Sequence, residues 1–182
     1  MATVDYPAQL SLTPSPAPVQ ASVRLPGSKS ITNRALLLAA LADGTSRLLH
    51  PLHSDDTEYM TEALRCLGVC IDRDDDAVVV QGMGGSLSAS PSARLFVGNS
   101  GTTVRFLTAA ACLAPPGTSI VLDGTARMRE RPIRDLLGAL LTLGVQAASV
   151  NGHGCPPVRV RAGQRYHARD YQIEADASNA SY

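Results

Sequence analysis

The strongest constraint on the fold of this chain is an internal repeat. Residues 21–93 and 94–165 show the same order of predicted elements: strand, helix, strand, helix, strand, strand. The second helix of each stretch ends in the same tripeptide, Leu-Gly-Val, at 67–69 and at 143–145. Leu-Gly-Val is also a common helix-to-strand junction, but six elements in matching order favour a true repeat. The chain is therefore predicted to contain two stacked βαβαββ units.

Glycines, prolines and capping residues predict the bounds of these elements. In the first unit we predict strands over residues 21–25, 46–49, 69–72 and 77–81, and helices over 28–41 and from 54 or 55 to 67. In the second unit we predict strands over residues 94–97, 119–122, 145–150 and 158–161, and helices over 100–113 and 132–143. Strands and helices in this order predict an α/β (α+β) fold.

The two ends of the chain differ from the repeat. Residues 1–20 contain four prolines, which favours an extended arm or an edge strand over a helix. Residues 166–182 predict the opening of a third unit, with a strand over 171–173 and a helix-capping segment over 176–181. Because a βαβαββ unit does not bury both faces alone, we expect the units to share a core and the chain to stop short of its third unit.

Composition and charge narrow the possible functions. The chain has 45% apolar and 18% charged residues, which is ordinary for a folded protein, and 16 basic residues balance 16 acidic ones. This balance argues against a nucleic-acid or membrane-surface partner, which would favour a basic excess. The four cysteines lack CxxC spacing and the four histidines are scattered, so we predict free thiols and no metal site. Without a signal peptide, a transit peptide or an apolar run long enough to span a membrane, the protein is predicted to be cytoplasmic.

Three polar segments occupy equivalent positions, each between the first strand and the first helix of its unit. They are Gly27-Ser28-Lys29-Ser30, Asn99-Ser100-Gly101-Thr102 and Ser178-Asn179-Ala180-Ser181. The N-terminus of a helix exposes unpaired N–H groups and carries partial positive charge, so it attracts anions. We expect these three helix starts to converge on one anion site, although Ser28, Ser100 and Ser178 also fit simple N-caps.

Cationic side chains accompany these segments. Lys29, Arg34 and Arg105 lie among apolar residues of predicted helices, where an unpaired charge is costly. The loop before the last predicted helix carries four arginines within residues 127–134, with Glu130 as the one nearby carboxylate. Since guanidinium groups bind carboxylate and phosphate, we expect a bound anion to partner these cations, with a solvated surface loop as the alternative. A nucleotide-binding P-loop is excluded, because a serine stands where that motif needs a glycine before its lysine.

Three longer motifs contain most of these segments and cations. They read Leu-Pro-Gly-Ser-Lys-Ser-Ile-Thr-Asn-Arg at 25–34, Gly-Asn-Ser-Gly-Thr-Thr-Val-Arg at 98–105 and Arg-Met-Arg-Glu-Arg-Pro-Ile at 127–133. In sequence, order and separation they resemble the signatures of the shikimate-pathway enolpyruvyl transferases, the EPSP synthases. The resemblance implies a fold of two similar domains, each built from three βαβαββ units, with substrates bound between them. The chain would then cover two complete units of the first domain, and residues 1–20 would belong with the second domain.

The resemblance also implies a reaction and a set of substrate contacts. The 5-hydroxyl group of shikimate 3-phosphate attacks C2 of phosphoenolpyruvate, and phosphate leaves, with no metal or organic cofactor. Lys29 would contact both substrates and assist proton transfer. The contacts implied for shikimate 3-phosphate are Lys29, Ser30, Arg34, Ala180 and Ser181, and those for phosphoenolpyruvate are Lys29, Asn99, Gly101 and Arg127. The chain departs from many relatives at 180–182, where it has Ala-Ser-Tyr in place of Ser-Ser-Gln, and at Phe106, where they carry proline.

Two other functions remain open on the sequence alone. The related transferase that acts on UDP-N-acetylglucosamine resembles this chain in fold, but it usually carries a reactive cysteine in the loop that residues 127–132 occupy here. The other alternative is a non-catalytic fragment that binds ligand or complements another chain. Because the resemblance implies that the remaining acid–base groups lie in the second domain, we expect this chain to need a complementary C-terminal fragment for activity.

Overall fold

The computed structural model describes residues 7–23, 25–74, 76–163, 165–170 and 172. Its elements in chain order are α1 (Lys29–Leu41), β1 (Thr45–Leu49), α2 (Asp55–Cys66), β2 (Cys70–Asp74), β3 (Ala77–Gln81), β4 (Ser92–Phe96), α3 (Gly101–Ala110), β5 (Ser119–Asp123), α4 (Arg134–Thr142), β6 (Ala147–Ser149) and β7 (Val158–Arg161). Two short 3-10 helices, Ala111–Leu113 and Met128–Glu130, follow α3 and precede α4.

The second predicted unit has the complete βαβαββ order. Its four strands form one sheet in the order β4-β5-β7-β6. Strands β4 and β5 are parallel and joined through α3, whereas β7 is antiparallel to both β5 and β6. Helix α4 crosses from β5 to the β6–β7 hairpin. The bounds differ from the predicted ones by a few residues, so the prediction for this unit is confirmed.

The first unit has the same order except for its first strand. Strands β1, β3 and β2 form a three-stranded antiparallel sheet, in that order. The strand predicted over residues 21–25 is wrong for the residues described there, 21–23 and 25, which belong to no strand. Its counterpart β4 pairs along its length with β5 and buries Leu95, whereas Val23 and Leu25 are 76% and 81% exposed. An alternating apolar pattern makes a strand only where a neighbouring strand and a core accept it.

The repeated Leu-Gly-Val tripeptides end α2 and α4 in the same way. Gly68 has φ +86° and Gly144 has φ +91°, the left-handed conformation that glycine adopts at helix C-termini. The next residue then donates its N–H back into the last turn, from Val69 to the Leu64 carbonyl at 3.1 Å and from Val145 to the Leu140 carbonyl at 2.8 Å. The two junctions therefore share one geometry as well as one sequence.

The two units share one hydrophobic core, as expected from the sequence. Met60 and Leu64 of α2, Leu107 of α3 and Ile120 of β5 belong to a single cluster of buried side chains. The buried residues of α2 recur at three- and four-residue spacing, so one face of the helix points into this cluster. Helices α1, α2 and α3 all contact one another. This packing brings the beginnings of the three helices together.

The flanking segments contribute no helix or strand among the described residues. Residues 7–20 are exposed and irregular, in agreement with their prolines. Residues 165–170 and 172 likewise form neither helix nor strand. Most of the predicted third unit, including the strand and capping segment at 171–181, lies outside the described residues. The assignment of residues 1–20 to a second domain stays a prediction.

Candidate anion-binding site

Helix α1 begins where the chain passes close to the segment after β1. The Ser28 hydroxyl caps the helix by accepting the Ile31 N–H at 3.4 Å. A side chain on Gly27 would place its Cβ 2.9 Å from both the His50 carbonyl oxygen and the Leu52 nitrogen. Glycine is therefore required before the cap, because the two backbone segments touch there. This contact fixes the direction in which α1 leaves the loop and presents Lys29.

Lys29 lies at the meeting point of three helix beginnings. Its Nζ lies 3.0 Å from Oδ2 of Asp56, in the first turn of α2. The carbonyl oxygen of Asp56 accepts the hydroxyl of Thr103, in the first turn of α3, at 3.4 Å. The Lys29 side chain is half exposed and that of Asp56 is 23% exposed, so the cation faces solvent while its partner is partly buried. The first turn of α2 thus contacts both the Lys29 ammonium at the start of α1 and the first turn of α3.

Helix α3 begins with a fully buried cap. The Ser100 hydroxyl accepts the Thr103 N–H at 3.4 Å and lies 2.7 Å from the Thr103 hydroxyl. Both Ser28 and Ser100 are therefore N-caps, which confirms the simpler interpretation of these two serines. Ser178 lies outside the described residues. The hydroxyls of the two caps organise the helix beginnings, and the cations beside them supply the charge.

The first residue of α3 lies under two guanidinium groups. Arg131 Nη1 donates to the Asn99 carbonyl oxygen at 3.1 Å, and Arg105 donates to the carbonyl oxygens of Gly101 at 3.3 Å and Pro132 at 3.0 Å. A Cβ on Gly101 would lie 2.8 Å from Arg131 Nη1 and 3.3 Å from Arg105 Nη1. The missing side chain therefore leaves space for these guanidinium groups beside the start of the helix.

The arginine loop, which is the segment of residues 124–133 between β5 and α4, is held to the four-stranded sheet by an ion pair. Arg129 donates two hydrogen bonds to the Asp123 carboxylate at the end of β5, at 2.9 and 2.7 Å. The adjacent Met128 side chain is fully buried and anchors the same turn. Arg127 lies on the outer side, 76% exposed, with its Nη1 2.8 Å from Oε2 of Glu130. The loop therefore presents Arg127 to solvent from a fixed base.

The Asp123 carboxylate stays ionised well into the acidic range. The hydrogen bonds from Arg129 hold its pKa below the usual value for aspartate. The Gly124 N–H, which donates to Asp123 at 2.8 Å, and the charges of Arg129 and Arg94 act in the same direction, whereas partial burial opposes them. The Asp123–Arg129 ion pair, which joins β5 to the arginine loop, is thus charged at neutral pH.

Arg34 lies between its own helix and α3. Its Nη1 donates to the Ser30 carbonyl oxygen at 3.1 Å, and its Cζ lies 5.3 Å from the centroid of the Phe106 ring. A guanidinium over an aromatic face is favourable. The aromatic residue that departs from the family pattern therefore supports a cation of the site.

This chain is similar in sequence to a known family of proteins. A sequence profile of the family described as EPSP synthase (3-phosphoshikimate 1-carboxyvinyltransferase) matches residues 14–182. The chain belongs to the EPSP synthase family. The 3-phosphoshikimate 1-carboxyvinyltransferase of Rhizobium leguminosarum bv. trifolii is 49% identical over 172 residues, which cover 94% of this chain and 40% of that protein. The chloroplastic 3-phosphoshikimate 1-carboxyvinyltransferase of Brassica napus is 49% identical over 146 residues, which cover 77% of this chain and 28% of that protein.

Comparison of structures leads to the same family. The EPSP synthase of Acinetobacter baumannii superimposes with a TM-score of 0.74 at 29% sequence identity, over 84% of this chain and 35% of that chain. The predicted enolpyruvyl transferase fold is therefore confirmed. The chain spans less than half the length of the EPSP synthases it matches.

In this chain, most of the residues singled out from the sequence lie in one connected region. Lys29 is linked to the start of α3 through Asp56, and the Asn99–Gly101 segment is linked to the arginine loop through Arg131. Ser30 and Arg34 share a hydrogen bond on α1, and Arg127 belongs to the same short loop as Arg131. Ala180 and Ser181 lie outside the described residues.

These cations have partners within the protein. Asp56 partners Lys29, Asp123 partners Arg129, and backbone carbonyl groups accept from Arg34, Arg105 and Arg131. Even so, cationic side chains outnumber carboxylates in the region. The cations are Lys29, Arg34, Arg105, Arg127, Arg129 and Arg131, and the carboxylates are Asp56, Asp123 and Glu130. Such an excess favours anionic ligands that carry phosphate or carboxylate groups.

Sequence reasoning missed the role of Asp56. Acidic residues are ordinary in the first turn of a helix, so Asp56 was not singled out from the sequence. The signal that could have identified Asp56 is its place in the first turn of α2, a helix beginning in addition to those of α1 and α3. Among the described residues, no three His, Cys, Asp or Glu side chains form a group that would hold a metal ion. None of the described helices combines the length and apolar character needed to cross a bilayer.

Proposed function

We propose that this chain forms a substrate-binding part of an EPSP synthase. The enzyme transfers the enolpyruvyl group of phosphoenolpyruvate to the 5-hydroxyl group of shikimate 3-phosphate and releases phosphate. The observation that carries the proposal is the meeting of three helix beginnings at Lys29, next to the arginine loop, in a chain of this family. Both substrates are multiply charged anions, which this excess of cations suits.

The proposed contacts divide between the two edges of this region. Ser30 and Arg34 are four residues apart on α1, so they face the same ligand, for which we propose shikimate 3-phosphate. Asn99, Gly101 and Arg127 flank the start of α3 and the arginine loop, where we propose phosphoenolpyruvate. Lys29 lies at the junction of α1 and α2 and is proposed to contact both substrates. Ala180 and Ser181 remain predicted contacts for shikimate 3-phosphate.

The proposed mechanism uses these residues to bring two anions together. The oxygen of the 5-hydroxyl group attacks C2 of phosphoenolpyruvate, and the tetrahedral intermediate collapses with loss of phosphate. Fixed cations offset the repulsion between the substrates and hold them in reacting geometry. Asp56 pairs with Lys29 and Glu130 pairs with Arg127. An entering anion therefore replaces carboxylates in a preformed site and does not need to order the cations from a disordered state.

Turnover is proposed to need the rest of the enzyme. The chain spans 40% of its Rhizobium relative, and the family's other acid–base groups are expected in the remaining length. We therefore expect the 182-residue chain to bind substrate but to turn over only with a complementary C-terminal polypeptide. A cytoplasmic location is part of the proposal, because all four cysteines are free thiols, as is usual in reducing compartments.

Calorimetry on the purified chain tests the proposed site. Shikimate 3-phosphate should bind more tightly than shikimate or UDP-N-acetylglucosamine. Lys29→Ala should weaken that binding at least about tenfold, since hydrogen bonds to charged groups contribute about 1.5–3 kcal/mol. Arg47→Ala is the matched control, because Arg47 is similarly exposed and pairs with Asp74 at 2.7 Å on the first sheet. Equal affinities for shikimate and its phosphate, or equal losses in both variants, would contradict the proposal.

A chemical test uses the fact that Lys29 is the single lysine of the chain. An amine-selective reagent can label only Lys29 and the N-terminal amine. Shikimate 3-phosphate should slow labelling of Lys29 and leave the N-terminal amine unaffected. Peptide mass analysis separates the two sites. Labelling of Lys29 at an unchanged rate under saturating ligand would exclude it from the site.

A further inference from the structure

Asn33 on α1 is a buried polar residue that the ligand-free chain does not use. Its side chain is 0% exposed, and neither its amide nitrogen nor its carbonyl oxygen has a hydrogen-bond partner within the described part of the chain. Buried polar groups without partners destabilise a protein, whereas an apolar side chain of similar shape avoids this penalty. Hydrogen bonds within the described residues therefore do not explain an asparagine at this position.

Helix geometry places Asn33 at the junction of the three helices. Lys29 reaches Asp56 of α2, and Arg34 lies over Phe106 of α3. Successive residues of a helix are rotated by about 100°, so position 33 points between the directions of 29 and 34. It lies one turn further along α1 than Lys29, at a depth of about 6 Å from four residues at about 1.5 Å each. Position 33 therefore lies on the side of α1 between α2 and α3, one turn below the Lys29 ion pair.

The candidate acceptor for the Asn33 amide is the Asp56 carboxylate. Lys29 is its ion-pair partner in the ligand-free chain, and its side chain is only 23% exposed. An anion that takes the Lys29 ammonium removes this partner from a partly buried carboxylate, which is costly unless another donor replaces it. The Asn33 amide is an unused donor on the same face of α1.

We propose that Asn33 is a positioning residue of the anion site, whose amide donates to Asp56 when a bound anion draws Lys29 away. This exchange keeps the first turns of α1 and α2 together in the ligand-bound state. The inference rests on the proposed function only in that an anion binds at Lys29. It assigns Asn33 a role that appears on binding and that is unused in the ligand-free chain.

Two substitutions test this role. Asn33→Leu keeps the branched shape without polar atoms, and Asn33→Ala avoids any risk of overpacking. Asn33→Leu should leave the thermal midpoint of the free chain unchanged or raise it, and both variants should bind shikimate 3-phosphate and inorganic phosphate about three- to tenfold more weakly. The control is Thr108→Val, because the buried Thr108 hydroxyl already donates to the Val104 carbonyl at 2.6 Å. It should lower the thermal midpoint and leave both affinities unchanged.

A cycle with Asp56→Ala separates positioning from simple packing. Once the side-chain acceptor is removed, Asn33→Leu should weaken anion binding no further, because the proposed hydrogen bond can no longer form. Affinities of the Asn33 variants equal to that of the unsubstituted chain, or additive losses in the cycle, would overturn the inference. A chain that binds phosphate without preferring shikimate 3-phosphate would instead contradict the proposed function and leave the Asn33 result interpretable. A chain that binds neither ligand would overturn both.

Discussion

Substitution of Gly98 gives a quantitative test of how the site is built. Gly98 precedes Asn99 and has φ +55°, and a Cβ on it would lie 2.0, 2.3 and 2.5 Å from three ring carbons of Tyr59. The Tyr59 ring packs edge-to-face against Phe96, with centroids 5.7 Å apart. The Gly98 carbonyl oxygen also accepts the Thr125 N–H at 2.9 Å, which ties the start of α3 to the arginine loop. Gly98→Ala therefore disturbs both backbone and packing.

Two terms add in the expected loss of stability. A non-glycine residue in the left-handed region costs about 1–2 kcal/mol. Carbon atoms need about 3.5–4.0 Å, so the Tyr59 ring must move by about 1.5 Å, and overpacking of this kind costs about 1–3 kcal/mol. Gly98→Ala is therefore expected to lower the free energy of unfolding by about 2–5 kcal/mol.

Gly84→Ala isolates the packing term. Gly84 has φ +60°, close to that of Gly98, but a Cβ there would meet nothing within 4 Å. It should lower the free energy of unfolding by about 1–2 kcal/mol. Urea unfolding followed by circular dichroism, with the slope m compared between variants, measures both changes. Losses that agree within about 0.5 kcal/mol would refute the close packing of Tyr59 against Gly98.

Two further predictions concern titration and reactivity. Because its pKa is lowered in the folded chain, ionised Asp123 stabilises the fold above the unfolded carboxyl pKa of about 3.9, and this contribution is lost as pH falls through the lower folded value. In the Asp123→Asn variant, the free energy of unfolding should therefore fall less steeply below about pH 4. Acid titration followed by circular dichroism measures this slope, and an unchanged slope would argue against the Asp123–Arg129 ion pair. The exposed thiols of Cys66 and Cys70 should react with a thiol reagent under native conditions, whereas Cys112 is 1% exposed and burial raises its pKa, which lowers its thiolate fraction. Cys112 should react only after urea is added, and equal native rates for the three thiols would contradict its burial.

Local sequence signals were sufficient for most of the fold. Ser28 and Ser100 mark the starts of α1 and α3, and the left-handed glycines Gly68 and Gly144 mark the ends of α2 and α4. These signals act within a few residues of the chain, so they are readable without knowing what packs nearby. The complete second unit was predictable for this reason.

The predicted strand over 21–25 failed for a reason that lies outside the segment. Its alternating pattern resembles that of β4, but β4 has β5 as a parallel neighbour and a core for Leu95. The hydrogen-bond partners of the arginine loop were not predicted from the sequence either. Asp123 is close to Arg129 in sequence, but the Asn99 carbonyl group that accepts from Arg131 is 32 positions away. Packing alone brings that carbonyl group and Arg131 together.

The sequence by itself determined which residues carry charge in this protein and where each helix begins. Only the tertiary structure decided that the beginnings of α1, α2 and α3 meet, that Asp56 pairs with Lys29, and that Asn33 is buried with no hydrogen-bond partner among the described residues. Caps and glycine turns depend on neighbours along the chain, whereas these contacts depend on how packed helices bring distant positions together. A charge can therefore be located from the sequence, but its partner is fixed only by the packing of the shared core.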